Sequence, residues 1–410
     1  MIQPFIKRID LQVFSKVLFV LYVVYTNVLD FTLFHIQFLS IVLLIGAVVL
    51  ELIHDHLRIR IDRSLLALVF FTLYALISGS LIAENFDRVL NSLISLTEWL
   101  IVFYLILCYS LSDGNPHFSM AVFSMQAITT AMFMILSGTG LKRISISESV
   151  NVNTIGMTFA FSIGYILYFL IDKKNKPIKW VISIGAIAAL LIGIMMTSSK
   201  KAIIGGAALI ILWIVLCYRF TFARIHKVLR ILIIVGIIAV GIFVYRWYTS
   251  AYALQTEIML YRMSGLYVGD SDQARIKMIK EGFLVFFSHP FFGVGFNNAR
   301  YYISYATYTH CLYTEVLACT GIVGTLLFGY AVVRPWMIIV KTRNNIKQHN
   351  SFLNTRIIYL LTIFTVFLLS NFMQIAFYAQ NLMYTLSVFA AFAANLKSDY
   401  GGLVMEHEKV

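Results

Sequence analysis

Charge is what this chain has least of. Only 12% of its 410 residues are Asp, Glu, Lys or Arg, while 60% are hydrophobic. A soluble domain cannot cover itself with so little polar surface, so the composition implies an all-α, polytopic membrane protein. Proline is scarce as well, at five residues, and leaves long apolar stretches unbroken. Four cysteines make no disulfide framework. Cys311 and Cys319 lie ~12 Å apart along one helix, beyond disulfide reach. The sequence has no HExxH motif and no Cys/His cluster, so no metal site and no cofactor is expected. No small-residue cleavage site follows the apolar segment at 17–25, which reads as a first span and not a signal peptide.

What is present is a series of roughly twelve apolar stretches, each near the ~20 residues a helix needs to cross a bilayer. Alternate loops between them are basic: Arg58, Arg60 and Arg63; Lys173 to Lys179; Arg219 to Arg230; Arg334 to Arg356. The positive-inside rule places that set in the cytoplasm. It accounts for most of the net charge of +13. The basic residues are dispersed among short loops and form no continuous stripe, so no nucleic-acid partner is expected. The expected organisation is transmembrane helices over 1–245, a large outer loop over 246–309, further helices over 310–397 and a cytoplasmic tail over 398–410. Within the loop, 272–287 has helical spacing, with Ile276, Ile279 and Phe283 on one face, and reads as an amphipathic helix on the outer leaflet. The tail is expected to be loosely ordered.

Cations on the outer side oppose the topology signal and need another reason. Lys200 and Lys201 fall in the tight turn that opens the eighth span. The free N–H groups and positive dipole end there suit a phosphate oxygen. A plain alternative is that both lysines snorkel to headgroups. Arg275 on the amphipathic helix can grip phosphate bidentately, or simply face water. Lys142 and Arg143 form a weaker outer pair. His310 opens the tenth span and has an ordinary pKa suited to taking a proton from a hydroxyl, although a helix-capping histidine fits equally. Glu315 and Glu98 are carboxylates at membrane depth, where a functional or paired role is the default. Pro290 to Gly295 reads as a tight re-entry turn in which Gly293 and Gly295 supply positive φ.

Taken together these patches resemble the O-antigen polymerase and O-antigen ligase family of bacterial envelope glycosyltransferases. The first is Ser199-Lys200-Lys201-Ala202, where the family shows Ser-Arg before a small residue. The second is Arg275 followed by Glu281-Gly282 and His289-Pro290-Phe291-Phe292-Gly293-Val294-Gly295. The third is His310-Cys311 through Glu315 to Gly321-Ile322-Val323-Gly324, where the family has His-Asn. Arg143 with Asn151-Val152-Asn153 resembles the family's Asn-Pro-Asn. Lysine at 200 keeps the charge of the family's arginine but loses its bidentate fork.

The resemblance implies a C-type membrane glycosyltransferase fold and an active site at the periplasmic face of the inner membrane. It implies an undecaprenyl-pyrophosphate-linked oligosaccharide as donor and, as acceptor, a lipid-linked repeat unit or lipid A core. Membrane lipid and a chain-length regulator protein are the other partners implied. Catalytic roles then fall on His310 and Arg275, and substrate binding on Lys200, Lys201, Arg143, Asn153, Glu315 and Glu98. A polymerase of repeat-unit polysaccharide is the reading preferred over a ligase. A lipid-linked oligosaccharide transporter stays open as a third, and it would show discontinuous helices.

Overall fold

The computed structural model describes residues 10–26, 38–137, 152–171, 177–217, 270–346, 350–373 and 380–407, with Arg246, Ser250 and Glu257 as isolated positions. Among these the regular structure is helical, without strands. Eight helices come first: α1 (Leu11–Val24), α2 (Leu39–His54), α3 (Arg63–Ile82), α4 (Phe86–Asp113), α5 (His117–Ser137), α6 (Val152–Leu170), α7 (Pro177–Thr197) and α8 (Lys200–Cys217). Then follow α9 (Asp270–Ser288), α10 (Leu312–Ile346), α11 (Ser351–Ser370) and α12 (Gln380–His407). Polar residues at their starts explain several boundaries. Asp62 accepts from Ser64 N at 2.9 Å, Asn85 from Arg88 N at 3.0 Å and Asn350 from Leu353 N at 3.0 Å, each satisfying an orphan helix donor.

Seven of the described helices are long and apolar enough to cross a membrane: α3, α4, α5, α6, α7, α10 and α11. α1 and α2 are apolar but shorter. The expected span at 229–246 lies outside the described residues apart from Arg246. The protein is therefore a polytopic helical membrane protein, with seven candidate spans among the described residues where the sequence suggests twelve across the chain.

Polar contacts sort to the two ends of the bundle. At one end Lys16 of α1 meets Asp113 of α4 at 2.7 Å, and Arg334 of α10 meets Asp62 at 2.5 Å. Arg356 of α11 donates to Ile171 O at 3.0 Å. The opposite end collects the α3–α4 loop, the α7–α8 turn and residues 289–311. That sorting is the one the alternating basic loops lead one to expect.

α9 forms where the spacing predicts it. It buries Met278 and Val285, with Ala274 packed beside them, and leaves Ile276 and Phe283 exposed, as a face on a leaflet requires. Gly282 lets that side approach: a Cβ there would come within 2.6 Å of Thr314 Cγ2 and 2.7 Å of Thr309 Cγ2. The larger apolar residues Phe283, Leu284 and Phe287 point outward instead, as a helix at a lipid interface would have them. The last helix continues through His407 where a loose tail is expected. α4 begins at Phe86, which sets Glu98 more than three turns from the outer end.

Candidate functional site

The site rests on a broken helix. α10 is interrupted at Gly321, whose φ of 61° and ψ of −163° lie outside the helical region. A break inside a bilayer is tolerated only if the freed backbone groups find partners. Here the Pro290–Gly295 turn supplies most of them. Val294 N donates to Ala318 O at 3.1 Å and Gly295 N to Cys319 O at 3.0 Å. In return Ile322 N donates to Pro290 O at 2.8 Å and Val323 N to Phe291 O at 3.4 Å. Tyr74 of α3 closes the set by donating its hydroxyl to Thr320 O at 2.8 Å. Two glycines make this approach sterically open. A Cβ on Gly293 would lie 2.5 Å from Thr320 N, and one on Gly321 would lie 2.6 Å from Phe292 N. Both have positive φ, at 69° and 61°. The discontinuous helix is thus a re-entry platform whose freed backbone groups find partners in the turn laid across it.

The segment that follows is fastened on both sides. Asn298, fully buried, accepts from Asn85 N at 2.9 Å and donates to Asn85 O at 3.2 Å, joining it to the α3–α4 loop. Asn297 donates to Ser92 Oγ at 2.8 Å and accepts from Arg300 Nη2 at 2.6 Å. Arg88 donates to the Tyr301 hydroxyl at 2.9 Å. On α9, Glu281 accepts from Ser304 N at 3.0 Å and from the Ser304 hydroxyl, which holds its carboxyl below the usual range. Burial raises the Tyr302 hydroxyl, with help from Glu84 of the α3–α4 loop.

That clamped segment ends on His310. Its φ of 57° is in the left-handed region, uncommon for a residue with a Cβ, and the residue is half-buried. The ring of Tyr308 lies 4.3 Å away, centroid to centroid. Next to it, Thr309 N donates to Glu315 Oε2 at 2.9 Å and Thr309 Oγ1 to Cys311 O at 2.9 Å. Glu315, 2% exposed, also receives Cys319 Sγ at 3.5 Å. Its carboxylate therefore fixes the backbone that presents His310. Burial lowers the His310 pKa from its ordinary 6.5 to about 4, and the positive charges of Arg275 and Lys201 push in the same direction. Three residues far apart in sequence thus act on one another at one place.

Lys201 arrives there through the α7–α8 turn. Thr197 is buried and Ser198 takes a φ of 49°, so the chain reverses within three residues and α8 opens at Lys200. Ser199 is 1% exposed, and its hydroxyl has no hydrogen-bond partner among the described residues. Gly156 of α6 admits the turn: a Cβ there would sit 2.8 Å from Ala202 Cβ and 2.9 Å from Thr197 Oγ1. Asn153 lies one helical turn before Gly156 on that same face, towards the rim.

Of the residues singled out in the sequence, Arg275, Lys201 and His310 are brought together, with Lys200, Asn153 and Glu315 on the elements around them. Glu98 belongs elsewhere: it accepts from the Tyr22 hydroxyl of α1 at 2.6 Å, inside the bundle. Arg143 lies outside the described residues. Ser199 and Tyr308 were not singled out. Their signal was only adjacency, a serine before Lys200-Lys201 and a tyrosine two residues before His310.

Residues 185–329, from α7 into α10, match the family profile described as O-antigen ligase. That stretch is about a third of the chain, and over it the chain is similar to the O-antigen ligase family. The matched stretch contains Lys200, Lys201, Arg275, His310, Glu315 and the Gly293 and Gly321 junction, and excludes Glu98, Arg143 and Asn153. A search of curated proteins finds no match. The likeness supports a glycan-transferring enzyme embedded in a membrane, with a lipid-linked glycan and an acceptor as substrates.

Proposed function

We propose that the chain is a glycosyltransferase that polymerises polysaccharide repeat units from an undecaprenyl-pyrophosphate-linked donor at the outer face of a bacterial inner membrane. The observation that carries this reading is the imidazole of His310, held neutral at physiological pH beside the charges of Arg275 and Lys201. A base must be unprotonated to act, and a pyrophosphate leaving group needs cations where its charge develops. Arg275, Lys201, Lys200 and the N–H groups opening α8 receive the pyrophosphate in this scheme. His310 takes the proton of the acceptor hydroxyl as its oxygen bonds to the anomeric carbon. The bond from that carbon to the pyrophosphate oxygen breaks, and the electron pair leaves with the phosphate. Two negative phosphates seated against Arg275 and Lys201 offset the charges that depress His310, so donor binding strengthens the base. Asn153 and Arg143 are the further residues assigned to the glycan, and Glu315 positions the backbone at His310.

Liposomes containing the purified protein and one defined undecaprenyl-pyrophosphate oligosaccharide test this directly. A ladder of products from that single substrate, lost in His310→Ala, is expected. A ligase is the second reading, favoured by the description of the matching family. It predicts silence until lipid A core is added, and then one transfer per acceptor.

A further inference from the structure

The end of the bundle far from His310 contains a cavity that the transfer chemistry does not use. Its volume is about 460 Å³, and four helices wall it: the entry to α3, the last turns of α4, the middle of α10 and α12. Four cations line it, Arg60, Arg63, Arg334 and Lys397, against one lining carboxylate, Asp62. Asp62 is taken by Arg334 at 2.5 Å, and Arg60 pairs with Asp55 at 2.5 Å. Two positive charges remain without a carboxylate, since Arg63 and Lys397 form no ion pair among the described residues. Arg334 is buried, and its bonds to Asp62 and Ser64 all leave from Nη1, so the rest of its guanidinium fork has no acceptor among the described residues. Apolar Leu107, Leu111 and Ala394 complete the lining beside these cations.

A cavity lined by both cations and apolar side chains, at the ends of membrane-spanning helices, is amphipathic in the same sense as a phospholipid. We propose that this cavity binds the phosphodiester headgroup of an anionic membrane lipid, with the first methylenes of its chains on Leu107, Leu111 and Ala394. Basic pockets between transmembrane helices on the cytoplasmic side hold such headgroups by charge. The side is that assigned by the basic loops, and the proposal does not depend on which glycan is transferred. One lipid there bridges α3, α4, α10 and α12. It thereby braces the far half of α10, the helix whose near half supports His310.

The test uses the full chain purified in neutral detergent, titrated with dioleoyl-phosphatidylglycerol or dioleoyl-phosphatidylcholine and read by native mass spectrometry and thermal unfolding. Preferential binding of phosphatidylglycerol with a rise in unfolding temperature is expected. The double variant Arg63→Gln, Lys397→Gln should weaken that binding roughly tenfold or more. A charge-matched control, Arg58→Gln with Lys280→Gln, should retain it. Both altered cavity residues are exposed, so the variant folds without loss of an internal ion pair. Equal binding of the two lipids, or an undiminished preference in the cavity variant, overturns the proposal. So does inorganic phosphate that raises the unfolding temperature through the same residues while phosphatidylglycerol does not, because the ligand is then a free anion.

Discussion

His310 combines a positive φ of 57°, a tyrosine ring at 4.3 Å and a pKa lowered to about 4 by burial, with Arg275 and Lys201 adding to it. Each of these has a separable consequence. Removing the imidazole in His310→Ala should cut transfer by about 10²- to 10⁴-fold, the span expected for a general base, with donor binding intact. The base is active when neutral, so activity falls as pH drops through its pKa. The acid limb of kcat/KM, which reports the free enzyme, should lie near 4. Arg275→Gln removes one depressing charge, so that limb should move towards 6.5 even as the rate falls. A limb that stays in place would show that Arg275 does not act on His310. Ser199 offers a different kind of test. Its buried hydroxyl has no partner among the described residues, so Ser199→Ala should leave the unfolding temperature unchanged or slightly raised. A higher KM for the donor, roughly fivefold for one lost hydrogen bond, would mark that hydroxyl as a ligand to the substrate.

The element that most constrains the site is the broken α10 with the turn laid across it. Its hydrogen bonds exist only because Gly293 and Gly321 let two backbones come together. Gly293→Ala or Gly321→Ala places a methyl group against backbone and forces positive φ on alanine. The combined cost should exceed about 2 kcal/mol. Reduced yield and a clear drop in unfolding temperature are expected for both. Gly185→Ala in α7 is the control, because nothing lies within 4 Å of the added methyl. It should be neutral or stabilising by up to about 1 kcal/mol. If all three variants behaved alike, the re-entry platform would not be the constraint argued for it.

Across the whole molecule the two ends are built differently. The site end is joined by backbone and amide bonds among loops that are distant in sequence, such as Asn85 to Asn298. The other end is joined by ion pairs, of which Arg334 with Asp62 is the most enclosed, each side chain 11% exposed. Arg334→Ala strands Asp62 and should destabilise the protein by about 3 to 5 kcal/mol, measurable as a lower unfolding temperature. Arg334 sits on the far half of α10, beyond the break at Gly321 from Glu315, so the remaining folded enzyme should keep its pH profile.

The helical membrane class and the alternation of the two ends were set by the sequence alone, because hydropathy and loop charge follow from composition over windows that need no tertiary contact. That Lys201, Arg275 and His310 share one end of the bundle was legible for the same reason. Their convergence was not, since it depends on how the α7–α8 turn, α9 and the segment after Gly295 dock on a common platform. Which side of α9 packs on the protein was not legible, because its spacing offers two apolar sides and Gly282 against Thr309 and Thr314 decides between them. Glu98 was legible as a carboxylate at membrane depth, but that its partner is Tyr22 of α1 could come only from the fold. Glu315 was seen as a costly carboxylate, but that its partner is the Thr309 backbone could come only from the fold. What tertiary structure alone decided is which polar groups satisfy one another, because a hydrogen bond depends on position in space to within a few tenths of an ångström, and separation along the chain does not fix that.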